Sequence, residues 1–183
     1  MEILSLVPIV VLAIFVLSTF LGVFFTVKTA EVAVVVRFGK FLRIAEPGLN
    51  LKVPLIDRVA GKVSLRVNQI TLTMETKTKD NVFVTIPISV QNRVRPEAVY
   101  DAFYKLADPT AQIQSYVEQV ILGHVPGMTL DEVFASQSGI AAAVKKELDT
   151  DMAGFGYEIV NVLVTDIVPD DKVKAAMNDI NAA

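Results

Sequence analysis

The feature that most constrains this chain is a stretch of twenty-five residues near its start, Ile3 to Val27, without a charged side chain. At about 1.5 Å per residue, a helix of this length crosses a hydrocarbon core of roughly 30 Å. Its apolar residues leave no polar stripe at the helical period, which indicates a spanning helix and not a surface helix. The predicted anchor, residues 1–28, presents these side chains to lipid: Ile3, Leu4, Leu6, Val7, Ile9, Val10, Leu12, Ile14, Phe15, Leu17, Phe20, Leu21, Phe24, Phe25 and Val27.

Two alternatives to an anchor stay open. A cleaved secretory signal needs a basic start and a small-residue cleavage site, whereas Glu2 is acidic and residues 22–26 are bulky. A re-entrant hairpin bent at Pro8 is the other. Basic residues follow the run and none precedes it, so the positive-inside rule places the bulk of the chain on the cytoplasmic face of a single-pass protein.

Charge is unevenly spread after the anchor. Lys28 to Arg66 holds eight basic and three acidic residues, net +5, while residues 67–183 hold nine basic and sixteen acidic residues, net −7. A basic membrane-proximal part suits anionic lipid headgroups, and the acidic remainder argues against nucleic acid as a partner. The chain has no cysteine, which excludes disulfides, thiolate metal sites, cysteine nucleophiles and palmitoylation.

A β-rich part follows the anchor. The β-branched run Glu31 to Phe38 predicts a largely buried strand, and Phe41 to Ala45 predicts a second one before the turn at Glu46-Pro47-Gly48. Alternating apolar residues over 63–67 resume out of phase over 70–74, which predicts a bulge. With the alternation over 82–90 they predict a long antiparallel hairpin, in which the amide position of Pro87 must face an edge or an irregularity.

Helical patterns begin at Pro96. The pairs Asp108-Pro109 and Thr129/Glu132 predict the starts of two further helices, by an N-cap and by a capping box. A longer helix from Ser138 carries apolar residues four apart and stops before Gly154, and residues 157–168 return to a β pattern. A last helix begins after Pro169, and we expect it to continue as a longer helical or coiled-coil segment, with a frayed helix packed on the domain as the alternative.

The predicted fold class is therefore α+β. The predicted domains are the anchor (1–28), a membrane-proximal β-rich part (29–95), a distal α+β part (96–168) and the start of the C-terminal helix (169–183). Side chains of that helix that are possible oligomer contacts are Val173, Ala176, Met177 and Ile180.

Several motifs together resemble the SPFH or band 7 family, which includes stomatins, prohibitins, flotillins and the hypersensitive-induced-reaction proteins of plants. They are Val34 to Lys40, Glu46-Pro47-Gly48 with Pro54 and Asp57, Thr76 to Val84, and Tyr157 to Ile167; Asp101 to Leu106 and Ala175 to Ala183 are most similar to the plant proteins. The resemblance implies a membrane-anchored scaffold of two α+β subdomains that assembles into rings or cages, and in some bacterial members controls a membrane protease. Plant relatives are typically acylated, whereas Met1-Glu2 offers no myristoylation site.

Catalytic chemistry finds little support in the residues. The only histidine, His124, fits a buried or helix-terminal role better than a ligand role, and no Gly-x-Ser-x-Gly motif occurs. The acidic pairs Asp149/Asp151 and Asp170/Asp171 are better explained as solvated surface and capping residues than as a cation site. We therefore predict no enzyme activity, no cofactor and no metal.

The predicted function is a membrane-anchored oligomeric scaffold that organises a membrane patch and regulates a protease or another membrane-protein client. Its predicted partners are membrane lipids and copies of itself. The alternatives are a monomeric membrane-tethered adaptor and a membrane-bound enzyme with an unrecognised site. Possible membrane-surface contacts, with surface charge or core packing as the alternative, are Arg37, Lys40, Arg43, Pro54, Leu55, Ile56 and Arg58.

Overall fold

The computed structural model describes residues 11–12, 22–171 and 173–175. They fall into two compact units, unit 1 up to Arg66 and unit 2 from Val67 onward. This division differs from the predicted boundary between residues 95 and 96. The hairpin assigned by its β pattern to the membrane-proximal part instead forms the sheet on which the helices of unit 2 pack.

Residues 22–66 of unit 1 form five short strands, and the strands predicted at residues 31–38 and 41–45 are confirmed except at Phe38, which lies in the turn after the first. The central strand β2 lies between β3 and β5 in an antiparallel sheet, and β1 pairs separately with β4. Val34 and Val35 of β2 are fully buried, as the β-branched run predicts. The strands are β1 Phe24–Val27, β2 Glu31–Arg37, β3 Lys40–Ala45, β4 Gly48–Leu51 and β5 Asp57–Ser64.

Strand β1 corrects the predicted extent of the anchor, because Phe24, Phe25 and Val27 lie in a strand and not in a spanning helix. Val27 is buried against Ala33 and Val35 of β2, and the β1 backbone pairs with β4. A charge-free stretch suits a lipid-facing helix and a buried strand equally well, so composition alone could not separate them. Within the described ranges no helix is long and apolar enough to cross a bilayer, and residues 1–10 and 13–21 of the predicted anchor lie outside those ranges.

Unit 2 has a sheet in which the predicted hairpin is confirmed. Strands β6 and β7 pair in an unbroken antiparallel register from Asn68↔Asn92 to Lys77↔Phe83. The predicted bulge near residues 68–69 is therefore wrong: the phase shift marks the passage from β5 of one unit to β6 of the next, where a different face is buried. The strands are β6 Asn68–Lys77, β7 Phe83–Val94, β8 Tyr157–Val164 and β9 Val168–Pro169, and both β8 and β9 pair with β7.

The helices of unit 2 begin at the predicted caps. The Asp108 side chain accepts a hydrogen bond from Ala111 N at 3.0 Å, and Thr129 and Glu132 form a complete capping box. The α-helices that precede β8 are α1 Val99–Tyr104, α2 Pro109–His124, α3 Leu130–Ala135 and α4 Gln137–Ala153, with short 3-10 turns at Pro96–Ala98 and Val125–Gly127.

The core of unit 2 lies between one face of the sheet and helices α2 and α4. Alternate residues of β6 and β7 point into it, and α4 contributes side chains four residues apart, as predicted. Helix α2 lies on the β6 side and α4 on the β8 side. The fully buried members include Ile86, Ile88, Ile113, Val117, Val144, Leu148 and Met152.

Pro87 sits where a ladder hydrogen bond is not needed. Its carbonyl accepts from Thr165 N at 3.1 Å, so its amide position points to the same side of β7. There β8 has ended and β9 has not begun. The predicted irregularity opposite Pro87 is thus the gap between these two strands.

Gly156 joins α4 to β8 in a conformation that only glycine adopts without strain. Its φ is +83°, and a Cβ built on it would lie 2.4 Å from the carbonyl oxygen of Ala98. Its own carbonyl accepts from Arg95 N at 2.9 Å, which ties β8 to the end of β7. The close approach of these backbones depends on the missing side chain.

We expect Gly156→Ala to lower the free energy of unfolding by more than about 1 kcal/mol, because alanine is strained at positive φ and its Cβ meets Ala98. Gly154→Ala is the matched control, since Gly154 has φ −65° and open space around its Cβ position. Thermal unfolding of the detergent-solubilised protein, followed by circular dichroism, measures both. Equal melting temperatures for the two variants would contradict the proposed strain.

Candidate membrane-contact site

Two loops of unit 1 expose large apolar side chains beside each other. Phe38, in the β2–β3 turn, is 82% exposed, and Leu55, in the β4–β5 loop, is 93% exposed. The backbone joins the loops through Phe38 N and Ile56 O, 3.5 Å apart. We call Phe38, Val53, Leu55 and Ile56 the apolar tip; all four are exposed.

The backbone of the apolar tip is itself unusual. Phe38 has φ +48° and Leu55 has φ +68°, values that bulky residues seldom adopt. Such conformations cost of order 1–3 kcal/mol and persist only where the surrounding structure enforces them. The two most exposed side chains of the tip are therefore presented by strained turns.

An ion pair beneath the tip holds both loops. Arg37 Nε and a terminal guanidinium nitrogen of Arg37 donate to the two carboxylate oxygens of Asp57 at 2.8 and 3.2 Å. Asp57 also accepts from Val53 N at 2.9 Å, and its side chain is only 4% exposed. The Arg37 hydrogen bonds, followed by the Val53 N–H, hold the pKa of Asp57 below its usual range. The carboxylate thus links the end of β2 to the β4–β5 loop.

The predicted membrane-surface residues take different places. Leu55 and Ile56 lie in the tip, and Pro54 is half-buried between them and Val53. Lys40 and Arg58 are exposed on β3 and β5, the two strands that flank β2. Arg43 instead bridges to β4, where it donates to Leu51 O at 2.6 Å. Arg37 is engaged with Asp57 while its side chain stays 44% exposed, so two of the predicted contact cations have partners within unit 1.

Sequence reasoning missed Phe38, which it placed at the end of a buried strand. The available signal was Gly39, which follows directly and has φ +82° in the turn. A glycine after an apolar run indicates a hairpin tip as readily as a strand end. The position of the two loops beside each other could not be inferred from the sequence, because it depends on the ion pair between Arg37 and Asp57, which are 20 residues apart.

The motif Thr76 to Val84 proves structural. Thr78 Oγ1 donates to Asp80 at 2.6 Å, and Asp80 accepts from Leu130 N at 3.1 Å, which joins the β6–β7 turn to the start of α3. The Thr78 hydroxyl, and then the Leu130 N–H, keep the pKa of Asp80 below its usual range. These contacts account for the motif without a ligand.

The other candidate residues also have local partners. His124 Nδ1 lies 2.9 Å from Val120 O in the last turn of α2, at the helix terminus as predicted. Asp149 accepts from Ile159 N at 3.2 Å. Among the described residues, no group of three or more histidine, aspartate or glutamate side chains is placed to hold a metal ion. Val173 packs on the core of unit 2, while Ala176, Met177 and Ile180 lie outside the described residues.

We expect Asp57→Asn to lower the melting temperature at neutral pH, because asparagine cannot form the ion pair with Arg37. Since the folded pKa of Asp57 is lowered, its contribution is complete above about pH 4, where the unfolded carboxyl ionises, and is lost as pH falls through the folded pKa. The difference from wild type should therefore shrink on acidification.

The control for this comparison is Glu46→Gln, which removes an exposed carboxylate from the same unit. Melting curves recorded from pH 7 downward measure all three proteins. A difference between wild type and Asp57→Asn that stays constant with pH would mean that the carboxylate charge is not the stabilising element.

Comparison with known proteins identifies a family and relatives that this chain resembles. The family model described as SPFH domain / Band 7 family matches residues 25–183. The chain is 46% identical over 158 residues to hypersensitive-induced response protein 4 of Arabidopsis thaliana, covering 86% of this chain and 54% of that protein. It is 29% identical over 163 residues to the modulator of FtsH protease HflK of Escherichia coli, covering 87% and 38%. The chain thus spans about half the length of these relatives or less, and it belongs to the SPFH/band 7 family.

Proposed function

We propose that this protein is a membrane-anchored scaffold, without enzyme activity of its own, whose copies assemble side by side into a ring or cage. The observation that carries the proposal is the apolar tip on the basic unit. Nine large apolar side chains are exposed among residues 22–66, compared with seven in the more than twice as many described residues of unit 2. Exposed apolar groups surrounded by positive charge suit an anionic lipid surface.

The apolar tip fits the membrane interface better than the bilayer centre. Burying a side chain such as Leu55 or Phe38 contributes about 1.5–3 kcal/mol when complete, and each nearby lysine or arginine adds on the order of 1 kcal/mol at an anionic surface. Contacts of this size orient a unit that an anchor already holds at the membrane. We infer that the Ile3 to Phe20 part of the apolar run supplies the anchor, with the bulk of the chain on the cytoplasmic face.

A client follows by analogy with the relatives. The E. coli relative is named as a modulator of the FtsH protease. We propose that this scaffold likewise restrains a membrane protease or another membrane-protein client. Subunit contacts through Ala176, Met177 and Ile180 remain part of this proposal, whereas Val173 already packs on its own unit.

Particle size separates the scaffold from the alternatives. We expect light scattering and electron microscopy of the protein, extracted from membranes in mild detergent, to give closed particles of many copies. A monodisperse monomer would favour the adaptor and exclude the ring. Substrate turnover by purified protein would instead favour the enzyme.

Membrane contact by the apolar tip can be measured because the chain has no tryptophan. Phe38→Trp and Leu55→Trp each introduce one probe, and Phe83→Trp is the control, since Phe83 is 59% exposed on unit 2. In reconstituted vesicles with brominated acyl chains, we expect several-fold stronger quenching for the tip probes than for the control. Equal quenching at all three positions would exclude insertion of the tip while leaving the anchor intact.

A further inference from the structure

The sheet of unit 2 has a groove at each of its two opposite edges. One, the α2/β6 groove, has a volume of ≈ 370 Å³ and is lined by Thr73, Met74, Glu75, Gln114, Glu118 and Leu122 among others. The other, the α4/β8 groove, has a volume of ≈ 480 Å³ and its lining includes Ser138, Ala141, Ala142, Lys145, Asn161 and Leu163. Each groove consists of one strand edge and the helix packed beside it.

The two grooves carry opposite charges. Glu75 and Glu118 line the α2/β6 groove, and within the described part of the chain neither forms an ion pair within 4.0 Å. Lys145 lines the α4/β8 groove and likewise forms no such pair there; Glu158, whose pKa the Lys145 charge helps to lower, is bound by Arg93 at 2.8 Å. The charges are therefore available to a partner with the complementary sign.

Each groove also exposes one large apolar side chain. Leu122 on α2 is 51% exposed and Leu163 on β8 is 44% exposed. Isolated exposed leucines are common on protein surfaces. Here each leucine lines a concave groove beside charged side chains. Both grooves therefore combine an exposed leucine with charge, negative in the α2/β6 groove and positive in the α4/β8 groove.

The strand edges differ in a way that opposes symmetric pairing. The Pro87 carbonyl faces β8, so its register partner Thr73 turns its own backbone groups away from β7, toward the free edge of β6. On β8 the outward N–H groups of Ile159 and Val162 are capped by Asp149 and Asn161. Joining two β6 edges would bring Glu75 and Glu118 of both copies together, and joining two β8 edges would bring together Lys145 of both copies, so like charges oppose either symmetric contact.

We propose that the α2/β6 groove of one copy binds the α4/β8 groove of the next copy, with Glu118 and Glu75 facing Lys145 and Leu122 packing near Leu163. This inference rests on the proposed scaffold function and names its subunit contact. Because the grooves lie at opposite edges of one sheet, each copy uses one groove toward each neighbour. Such a head-to-tail contact, repeated by rotation, closes a ring.

Cysteine crosslinking tests the contact directly, because the natural chain has no cysteine. In membranes treated with a short bismaleimide, the double variant Leu122→Cys/Leu163→Cys should give a ladder of covalent multimers. The single variants Leu122→Cys and Leu163→Cys are the matched controls and should give none. Dimers from either single variant would show a symmetric contact and overturn the proposal.

Charge reversal tests the same contact by an independent route. We expect Glu118→Lys or Lys145→Glu alone to weaken association by about tenfold, since like charges then face each other. The double variant Glu118→Lys/Lys145→Glu should recover assembly, as should a mixture of the two single variants, because each keeps a groove that complements the other. Lys146→Glu is the control, since Lys146 is exposed one residue away from the groove lining.

Failure of this contact and failure of the scaffold function are distinguishable. Large particles by light scattering without a crosslinked ladder would overturn the proposed contact and leave the scaffold standing. A protein that stays monomeric at all concentrations would overturn both. Equal weakening by Lys146→Glu and Lys145→Glu would attribute the effect to net charge and also reject the contact.

Discussion

The antiparallel register between β6 and β7 is the constraint on which most of unit 2 depends. Because side chains alternate between faces, a slip of one residue would turn Ile86, Ile88 and Val90 to solvent. The register decides which face the helices cover and which backbone groups point to the free edge of β6. On its other side β7 pairs with β8 and β9, and this pairing sets Pro87 opposite the gap between the two strands, where no hydrogen bond from its nitrogen is needed.

Unit 1 differs from unit 2 because it holds several large apolar side chains at its surface, outside its own core. The Arg37–Asp57 ion pair and the Val53 N–H fix the two loops beneath the apolar tip. A largely buried carboxylate with three hydrogen bonds is costly to leave unpaired, so loss of either partner disturbs both loops. Polar contacts inside unit 1 thus determine the position of apolar groups on its surface.

The two units also divide the charge of the chain. The net +5 of residues 28–66 accompanies the apolar tip, and the net −7 of residues 67–183 accompanies the helices and the proposed subunit grooves. A positive unit is attracted to anionic headgroups, while a negative unit is repelled from them. This distribution supports the proposed function, in which one unit meets lipid and the other meets neighbouring copies.

Local sequence patterns predicted much of this fold. Helix caps at Asp108 and Thr129, the long hairpin and the apolar stripe of α4 depend on neighbours within a few residues, so they could be recognised without a structure. Leu55 and Ile56 could be recognised as exposed apolar residues beside a proline. Family motifs indicated the architecture as a whole.

Only the tertiary structure decided features that join distant parts of the chain. A charge-free stretch does not reveal that Phe24 to Val27 pair with β4. A β pattern does not reveal that the β6–β7 hairpin contributes its buried side chains to the core of unit 2. Packing brings Phe38 against the Leu55 loop. It also places Glu118 and Lys145 in grooves at opposite edges of the sheet of unit 2. The sequence by itself determined local conformation and composition, whereas pairing between distant residues decided the site, because long-range contacts leave no periodic trace in the chain.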